Sequence, residues 1–190
     1  MSKNKISKNW INKQKRDLYV RQSKREGYRS RAVYKLKEID EKYRILKNGI
    51  FLIDLGAAPG SWSQYAAKKI KNGKILSIDT QYIDQIKNTF QIIGDFTDAN
   101  NQSKIKKYFN NKVDVVLSDM AANTTGNKYL DSISTGELCM SAIKFSKDIL
   151  NSKGVFVSKI FMGSLFNDIV SEAKKTFNEV RIYKPEASRK

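Results

Sequence analysis

The sequence predicts an α/β fold, a mostly parallel sheet with helices on both faces, and three features carry that expectation. Short β-branched runs alternate with amphipathic helical stretches from residue 50 onward, the pattern of strands joined by helical crossovers. Four runs end at or beside an acid: Asp54, Asp79, Asp95 and Asp119. The first run, Ile50–Leu55, passes into Gly56-Ala57-Ala58-Pro59-Gly60, a turn with almost no side-chain bulk that opens into a helix at Ser61-Trp62. A ligand can approach such a backbone closely.

The elements follow in order. Residues 1–12 read as a mobile arm. Residues 13–43 are helical with a break near Gly27; after Ser30, placed to cap, Ala32, Val33, Leu36 and Ile39 recur on one stripe. Lys47-Asn48-Gly49 is a turn before the first strand. A helix is expected over 61–70, ended by Asn72-Gly73, then strands at 74–79 and 91–96, a helix at 101–109 and a strand at 113–119. Residues 121–133 form a polar loop. The helix at 135–150 buries Leu138, Ala142, Phe145 and Ile149, and Asn151-Ser152-Lys153-Gly154 stops it. A strand at 155–161, a helix at 164–177 and a strand at 179–184 complete the sheet. Residues 1–48 are read as a basic helical segment packed on a core of 49–190, one domain overall.

The net charge is +17, from 36 Lys and Arg against 19 Asp and Glu. Sixteen of those basic residues but only five of the acids lie in residues 1–47. A concentrated positive segment calls for a polyanion, nucleic acid first and an anionic membrane surface second. Codon bias explains Lys- and Asn-rich loops but explains less readily the arginines at 16, 21, 25, 29 and 31. Arginines interleaved with aromatics suit RNA, whose bases stack on rings and guanidinium planes; Arg29, Arg31 and Lys35 are the candidate RNA contacts.

Histidine is absent and Cys139 is the only cysteine. That excludes His-based triads and the common zinc clusters, so no metal is expected, and it suggests an intracellular, reducing compartment. No apolar run reaches membrane-spanning length. The first residues show no apolar secretory segment.

Ligands of such sheets sit outside the carboxyl ends of the strands. Asp79 follows Gly56 by 23 residues, the offset at which an acid reaches a nucleotide ribose. Asp95, one strand further over, is placed to accept from an adenine amino group. The glycine spacing is neither G-x-G-x-x-G nor a P-loop. Lys159 interrupts an apolar strand, where a lysine must be paired or functional, and Asp119 is its expected partner. An adenosine-containing cofactor and a polyanionic partner together indicate S-adenosylmethionine-dependent methylation of RNA, with S-adenosylhomocysteine as product. Two other classes are weighed: a non-catalytic RNA-binding or ribosome-assembly module, and an NAD-dependent oxidoreductase, disfavoured by the glycine spacing, the lack of histidine and the charge.

The chain resembles the RrmJ/FtsJ-type ribosomal RNA 2′-O-methyltransferases. The matching motifs, in order, are Gly27-Tyr28-Arg29-Ser30-Arg31-Ala32 through Lys35-Leu36, Asp54 through Gln64, Gly94-Asp95-Phe96, Ser118-Asp119-Met120-Ala121 and Val157-Ser158-Lys159. The resemblance implies the Rossmann-like S-adenosylmethionine-dependent methyltransferase fold. It also implies a catalytic Lys-Asp-Lys-Glu set, matched by Lys35, Asp119 and Lys159. Its cofactor contacts match Gly60, Trp62, Asp79, Asp95 and Asp119; Asp54, Gly56, Ala57, Pro59, Ser61 and Phe96 complete the candidate set. The family's glutamate lies in a last strand beyond a Lys-Pro-x-x-Ser-Arg segment, here Lys184–Lys190, so that residue and strand are expected outside this sequence, and Glu186 is no substitute. A second departure is Ala122-Asn123 where the family has Pro-Asn. Large-subunit ribosomal RNA, the tRNA anticodon loop and the mRNA cap are the family's substrate classes. Ser118–Ala121 with Asn123–Gly126 looks most like the bacterial and organellar ribosomal branch, acting on a uridine of large-subunit RNA. A monomer is expected, in the cytoplasm if bacterial and in a mitochondrion or other organelle if eukaryotic.

Overall fold

The structure is a computed structural model, described here for residues 17–110, 112–122 and 125–189. The expected arm at 1–12 and the Asn123-Thr124 part of the loop lie outside these residues. Strands β1 (Phe51–Leu55), β2 (Lys74–Asp79), β3 (Thr89–Ile93), β4 (Val113–Ser118) and β5 (Leu150–Ser158) form one sheet. Its order is β3-β2-β1-β4-β5, with every pairing parallel. The chain steps outward from β1 through β2 to β3, then returns to β1's other side for β4 and β5. The carboxyl ends of β1 and β4 therefore flank the point where the winding reverses, the crevice in which such sheets hold ligands.

Alternation along the central strands feeds two apolar layers. Leu52 and Leu117 point toward helices α2 (Val33–Tyr43) and α3 (Ser61–Lys69), packing with Leu36, Trp62 and Ala66. Ile53, Leu55 and Val116 point the other way, toward α4 (Ala99–Tyr108) and α5 (Lys128–Ile149), meeting Ile105, Ala142, Phe145 and Ile149. Two further helices are α1 (Leu18–Arg25) and α6 (Phe166–Thr176). Because α2 shares its apolar layer with β1 and α3, the basic segment is continuous with the core. Asp40 fastens it. Its buried carboxylate accepts from the Leu46 amide at 2.8 Å and the Tyr65 hydroxyl at 3.0 Å, tying α2 to its own exit and to α3.

Several boundaries differ from the sequence reading. β3 begins and ends earlier than 91–96, so Asp95 stands in the following loop. Helix α5 starts at Lys128 inside the expected polar loop, because Asn127 Oδ1 accepts from the amides of Tyr129 and Leu130 at 3.0 and 3.4 Å. Ser30 is not the cap of α2; Ala32 holds that position, and Ser30 Oγ accepts the Ala32 amide at 3.2 Å. Residues 151–154 lie within β5, an irregularity between Val113 and Val115 absorbing the mismatch. No strand forms at 179–184. β5 is the edge of the sheet, and side-chain contacts draw the segment elsewhere: Tyr183 packs edge-on against Tyr43 at the end of α2, and the Glu186 and Ala187 amides donate to Glu38.

Replacing Asp40 by alanine strands the buried Leu46 amide and Tyr65 hydroxyl. The expected cost is about 2–3 kcal/mol of unfolding free energy in urea melts, with Tyr65→Phe losing about 1 kcal/mol.

Candidate active site

The site grows from the turn after β1. Gly56 sits at φ +66° and Gly60 at +104°, conformations that side chains resist. The turn is pinned to the neighbouring strand: the Gly56 and Ala57 amides both donate to the Ile78 carbonyl, at 2.9 and 3.2 Å, and the Ala58 amide donates to Asp79 Oδ2 at 2.9 Å. Asp79 Oδ1 accepts from the Gln81 amide at 2.8 Å, and its side chain stays half-exposed at the end of β2. A Cβ at Gly56 would collide with the Met120 side chain, and φ is positive there, so the turn takes glycine at this position. A bare turn on a central strand end, beside one acid and followed along the edge by a second, fits an adenosine-bearing cofactor.

Next to this turn three charged side chains converge. Lys35 of α2 places Nζ 2.5 and 2.6 Å from the two carboxylate oxygens of Asp119. Lys159 places Nζ 3.2 Å from Asp119 Oδ1 and donates to the Asp119 carbonyl at 2.6 Å. The three come from separate elements yet meet because β4 and β5 pair Ser118 with Ser158, so the residues following each strand lie side by side. Burial holds the Lys159 amine below the ordinary lysine pKa; Asp119 pulls it back up, and Lys35 adds to the lowering. Two lysines on one carboxylate can orient a hydroxyl, and the one whose pKa is lowered, Lys159, can accept its proton when its amine is neutral.

Other candidate residues are arranged differently from the sequence reading. Asp54 is 1% exposed and spends its carboxylate on Ser63 Oγ at 2.6 Å, which in turn meets Ser77 Oγ at 2.7 Å. It lies beneath the turn and offers a ligand no atom. Burial, opposed by the Ser63 hydrogen bond and reinforced by Asp119 and Asp79, pushes its pKa up to about 7. Trp62 is 4% exposed and donates its indole N–H to the Ala32 carbonyl at 2.7 Å; it anchors the start of α2, with Lys35 Nζ 5.8 Å from its ring centre. Ser61 is buried, its hydroxyl 2.7 Å from that of Ser30. Phe96 is buried with its ring edge-on to Phe145, so its side chain belongs to the core. Asp95 is exposed and folds over its own loop, accepting from the Thr97 amide at 2.8 Å.

The two arginines assigned to RNA also make contacts within the chain. Arg31 pairs with Asp17, donates to the Ala187 carbonyl and stacks over Tyr19. Arg29 donates to the Pro59 carbonyl at 3.0 Å and the Gln85 carbonyl at 3.4 Å, so it clamps the glycine turn. Gln64, which sequence reasoning passed over as part of a motif, accepts the Arg29 amide at 3.0 Å and donates to the Gly27 carbonyl at 3.3 Å. Met120, also passed over, closes on Gly56. Neither contact has a signal in residue type alone. The exposed cations of α1 are Arg21, Lys24 and Arg25. Among the described residues no group of acids and cysteine is placed to hold a metal, and no helix is long and apolar enough to cross a membrane.

A five-stranded parallel sheet with a glycine turn at its switch point and a Lys-Asp-Lys cluster beside it defines a Rossmann-like methyltransferase. The chain belongs to the FtsJ-like methyltransferase family, whose model matches residues 28–190. It is 62% identical over 190 residues to the ribosomal RNA large subunit methyltransferase E of Pelagibacter ubique, covering 100% of this chain and 94% of that protein. With the enzyme of the same name from Rickettsia bellii the identity is 42%, covering 97% and 84%. A crystal structure of a ribosomal RNA methyltransferase from Plasmodium falciparum superposes with a TM-score of 0.77 at 36% identity, over 84% of this chain and 93% of that one. Membership of this family implies S-adenosylmethionine as methyl donor.

Two outcomes follow. For an acid whose pKa is raised on folding, the folded state binds the extra proton, so stability falls as pH rises from about 4 to about 7. Asp54→Asn, neutral throughout, should therefore melt above the wild type at pH 8, the gap closing by pH 4 in calorimetric scans. Arg29→Ala should weaken S-adenosylhomocysteine binding several-fold by calorimetry, whereas replacing Arg21, Lys24 and Arg25 together should leave it unchanged and flatten the salt dependence of RNA binding.

Proposed function

We propose that the chain transfers a methyl group from S-adenosylmethionine to a ribose 2′-hydroxyl of large-subunit ribosomal RNA, with Lys35, Asp119 and Lys159 as its catalytic residues. The observation that carries this is the meeting of Lys35 and Lys159 on Asp119 immediately beside the Gly56 turn. The names borne by the Pelagibacter and Rickettsia relatives support the ribosomal substrate. The turn from Gly56 to Gly60, with Asp79, Asp95 and the backbone at Phe96, would hold the cofactor, which supplies a methyl group already activated on a sulfonium. Asp54, Ser61 and Trp62 serve by positioning the turn and α2 from beneath.

The chain's own task is then alignment and exclusion of water. Asp119 holds both lysine side chains and fixes their spacing. As the new carbon–oxygen bond forms and the bond from sulfur to the methyl carbon breaks, the 2′-hydroxyl loses its proton. Lys159, in its neutral amine form, accepts it and becomes the ammonium; the burial that lowers its pKa is what supplies that neutral form. Lys35, held on both oxygens of Asp119, offsets that carboxylate's charge beside the developing negative oxygen. The basic face of residues 17–48 provides the surface on which the RNA backbone is gathered.

Lys159→Ala should reduce transfer of labelled methyl to undermethylated large ribosomal subunits at least a hundredfold while S-adenosylhomocysteine affinity stays within a few-fold. The wild-type rate should climb with pH and level off below roughly 10.4, the free lysine value. A pH-independent rate would make Lys159 an orienting group; full activity in the alanine variant would remove it from catalysis.

A further inference from the structure

Two and three residues beyond Lys159 the chain exposes an apolar rim that the transfer chemistry leaves unused. Met162 is 81% exposed and Phe161 42%, and at the start of the neighbouring helix α5 Tyr129 is 62% and Leu130 49% exposed. The loop after β5 lies directly against that helix: a Cβ at Gly163 would stand 2.7 Å from Ser132 Oγ, whose hydroxyl donates to the Tyr129 carbonyl at 2.8 Å. Phe161 is also joined to the charged cluster, since Lys159 Nζ sits 5.6 Å from its ring centre. In a chain of net charge +17, residues 160–167 carry no charged side chain. A surface meant for phosphate would not be built this way. Large exposed apolar groups are costly unless covered, and a polarizable thioether beside an aromatic ring is adaptable contact material. The partner that fits is flat, apolar on its faces and attached to a ribose: an unstacked nucleobase.

Resting on the RNA reading above, we infer that Phe161 and Met162, with Tyr129 and Leu130, form a platform that receives the base of the target nucleotide and so presents its 2′-hydroxyl to Lys159. The reach is right in kind. The base hangs from the same ribose whose hydroxyl must meet Lys159 Nζ, and the platform begins two residues past that lysine. Contact with a base face reads no hydrogen-bonding edge, so the platform orients the nucleotide without selecting its identity. Phe161 and Met162 are thus positioning residues.

The test uses the full chain and large-subunit ribosomal RNA carrying 4-thiouridine, cross-linked by light and mapped by mass spectrometry, together with steady-state kinetics. Cross-links should fall on peptides containing residues 159–163. Met162→Ala, at an exposed position that cannot unfold the chain by cavity formation, should raise KM for RNA several-fold, and Phe161→Leu with Met162→Ala about tenfold. The S-adenosylhomocysteine affinity should stay within twofold, and the salt slope of RNA binding should not change, because no phosphate contact is lost. Cross-links confined to α1 and α2, or an unchanged KM in the double variant, would overturn the platform while leaving RNA methylation intact. RNA that neither binds nor cross-links anywhere on the wild-type chain would overturn the RNA reading, and the platform with it.

Discussion

One carboxylate between two ammonium groups is the interaction on which the site depends. Lys35 and Lys159 repel each other, and both are largely covered by protein, where that repulsion is poorly screened. Asp119 turns the repulsion into a clamp by touching both. The clamp works only if three distant segments arrive together. Parallel pairing of β4 with β5 brings Asp119 and Lys159 into line, and the Lys159 amide continues the ladder by donating to the Ser118 carbonyl at 2.8 Å. Helix α2 arrives independently, set by the Trp62 bond to Ala32 and the buried Asp40 bonds to Leu46 and Tyr65. Sheet register and helix docking therefore translate directly into charge geometry.

The turn after β1 is held by a second, mostly uncharged network. Its amides hang on Ile78 and Asp79 from β2, its carbonyl at Pro59 is gripped by Arg29, and Ser61 is met by Ser30. The basic segment and the turn are thus mechanically joined. An arginine that charge counting assigns to RNA also serves the turn, through two of its five N–H donors. Among the described residues, the exposed cations of the segment are Arg21, Lys24 and Arg25 on α1, whose helix begins under the Asp17 cap, and Lys42, Arg44 and Lys47 at and beyond the end of α2.

What could be read from residue order was whatever depends on local pattern. The runs at 74–79 and 113–119 are β-branched and apolar because they are buried on both faces, and strands appear there, the second ending one residue earlier, at Ser118. The alternation of strands and helices, the side-chain-poor turn at 56–60, and the convergence of Lys35, Asp119 and Lys159 were legible for the same reason or through motif resemblance. What was not legible depends on partners far along the chain. Residues 179–184 have strand composition yet pair with no edge: Tyr183 packs on Tyr43, and the chain just beyond, at Glu186 and Ala187, is held by Glu38. Helix α5 reaches back to Lys128 because one asparagine cap outweighs a polar stretch. Asp54, Trp62 and Phe96 read as cofactor contacts from their motifs, but their side chains face inward, a distinction that spacing does not encode.

Asp54 shows why inward-facing motif residues can be as strictly required as those at the mouth. A buried carboxylate is expensive, and this one is tolerated through a hydroxyl from Ser63, itself bound to Ser77. The chain Asp54-Ser63-Ser77 links β1, α3 and β2 directly under the turn. An apolar residue at 54 would fill the same space but leave the first turn of α3 free to slide along the sheet, and Gly60, Ser61 and Trp62 would slide with it. Since Trp62 fixes α2 and α2 carries Lys35, a displacement under the turn would be felt at Asp119. The holding of the methyl donor and the placing of the charged cluster are therefore two ends of one packed structure, with the small residues of 56–60 left bare so that a ligand can lie between them.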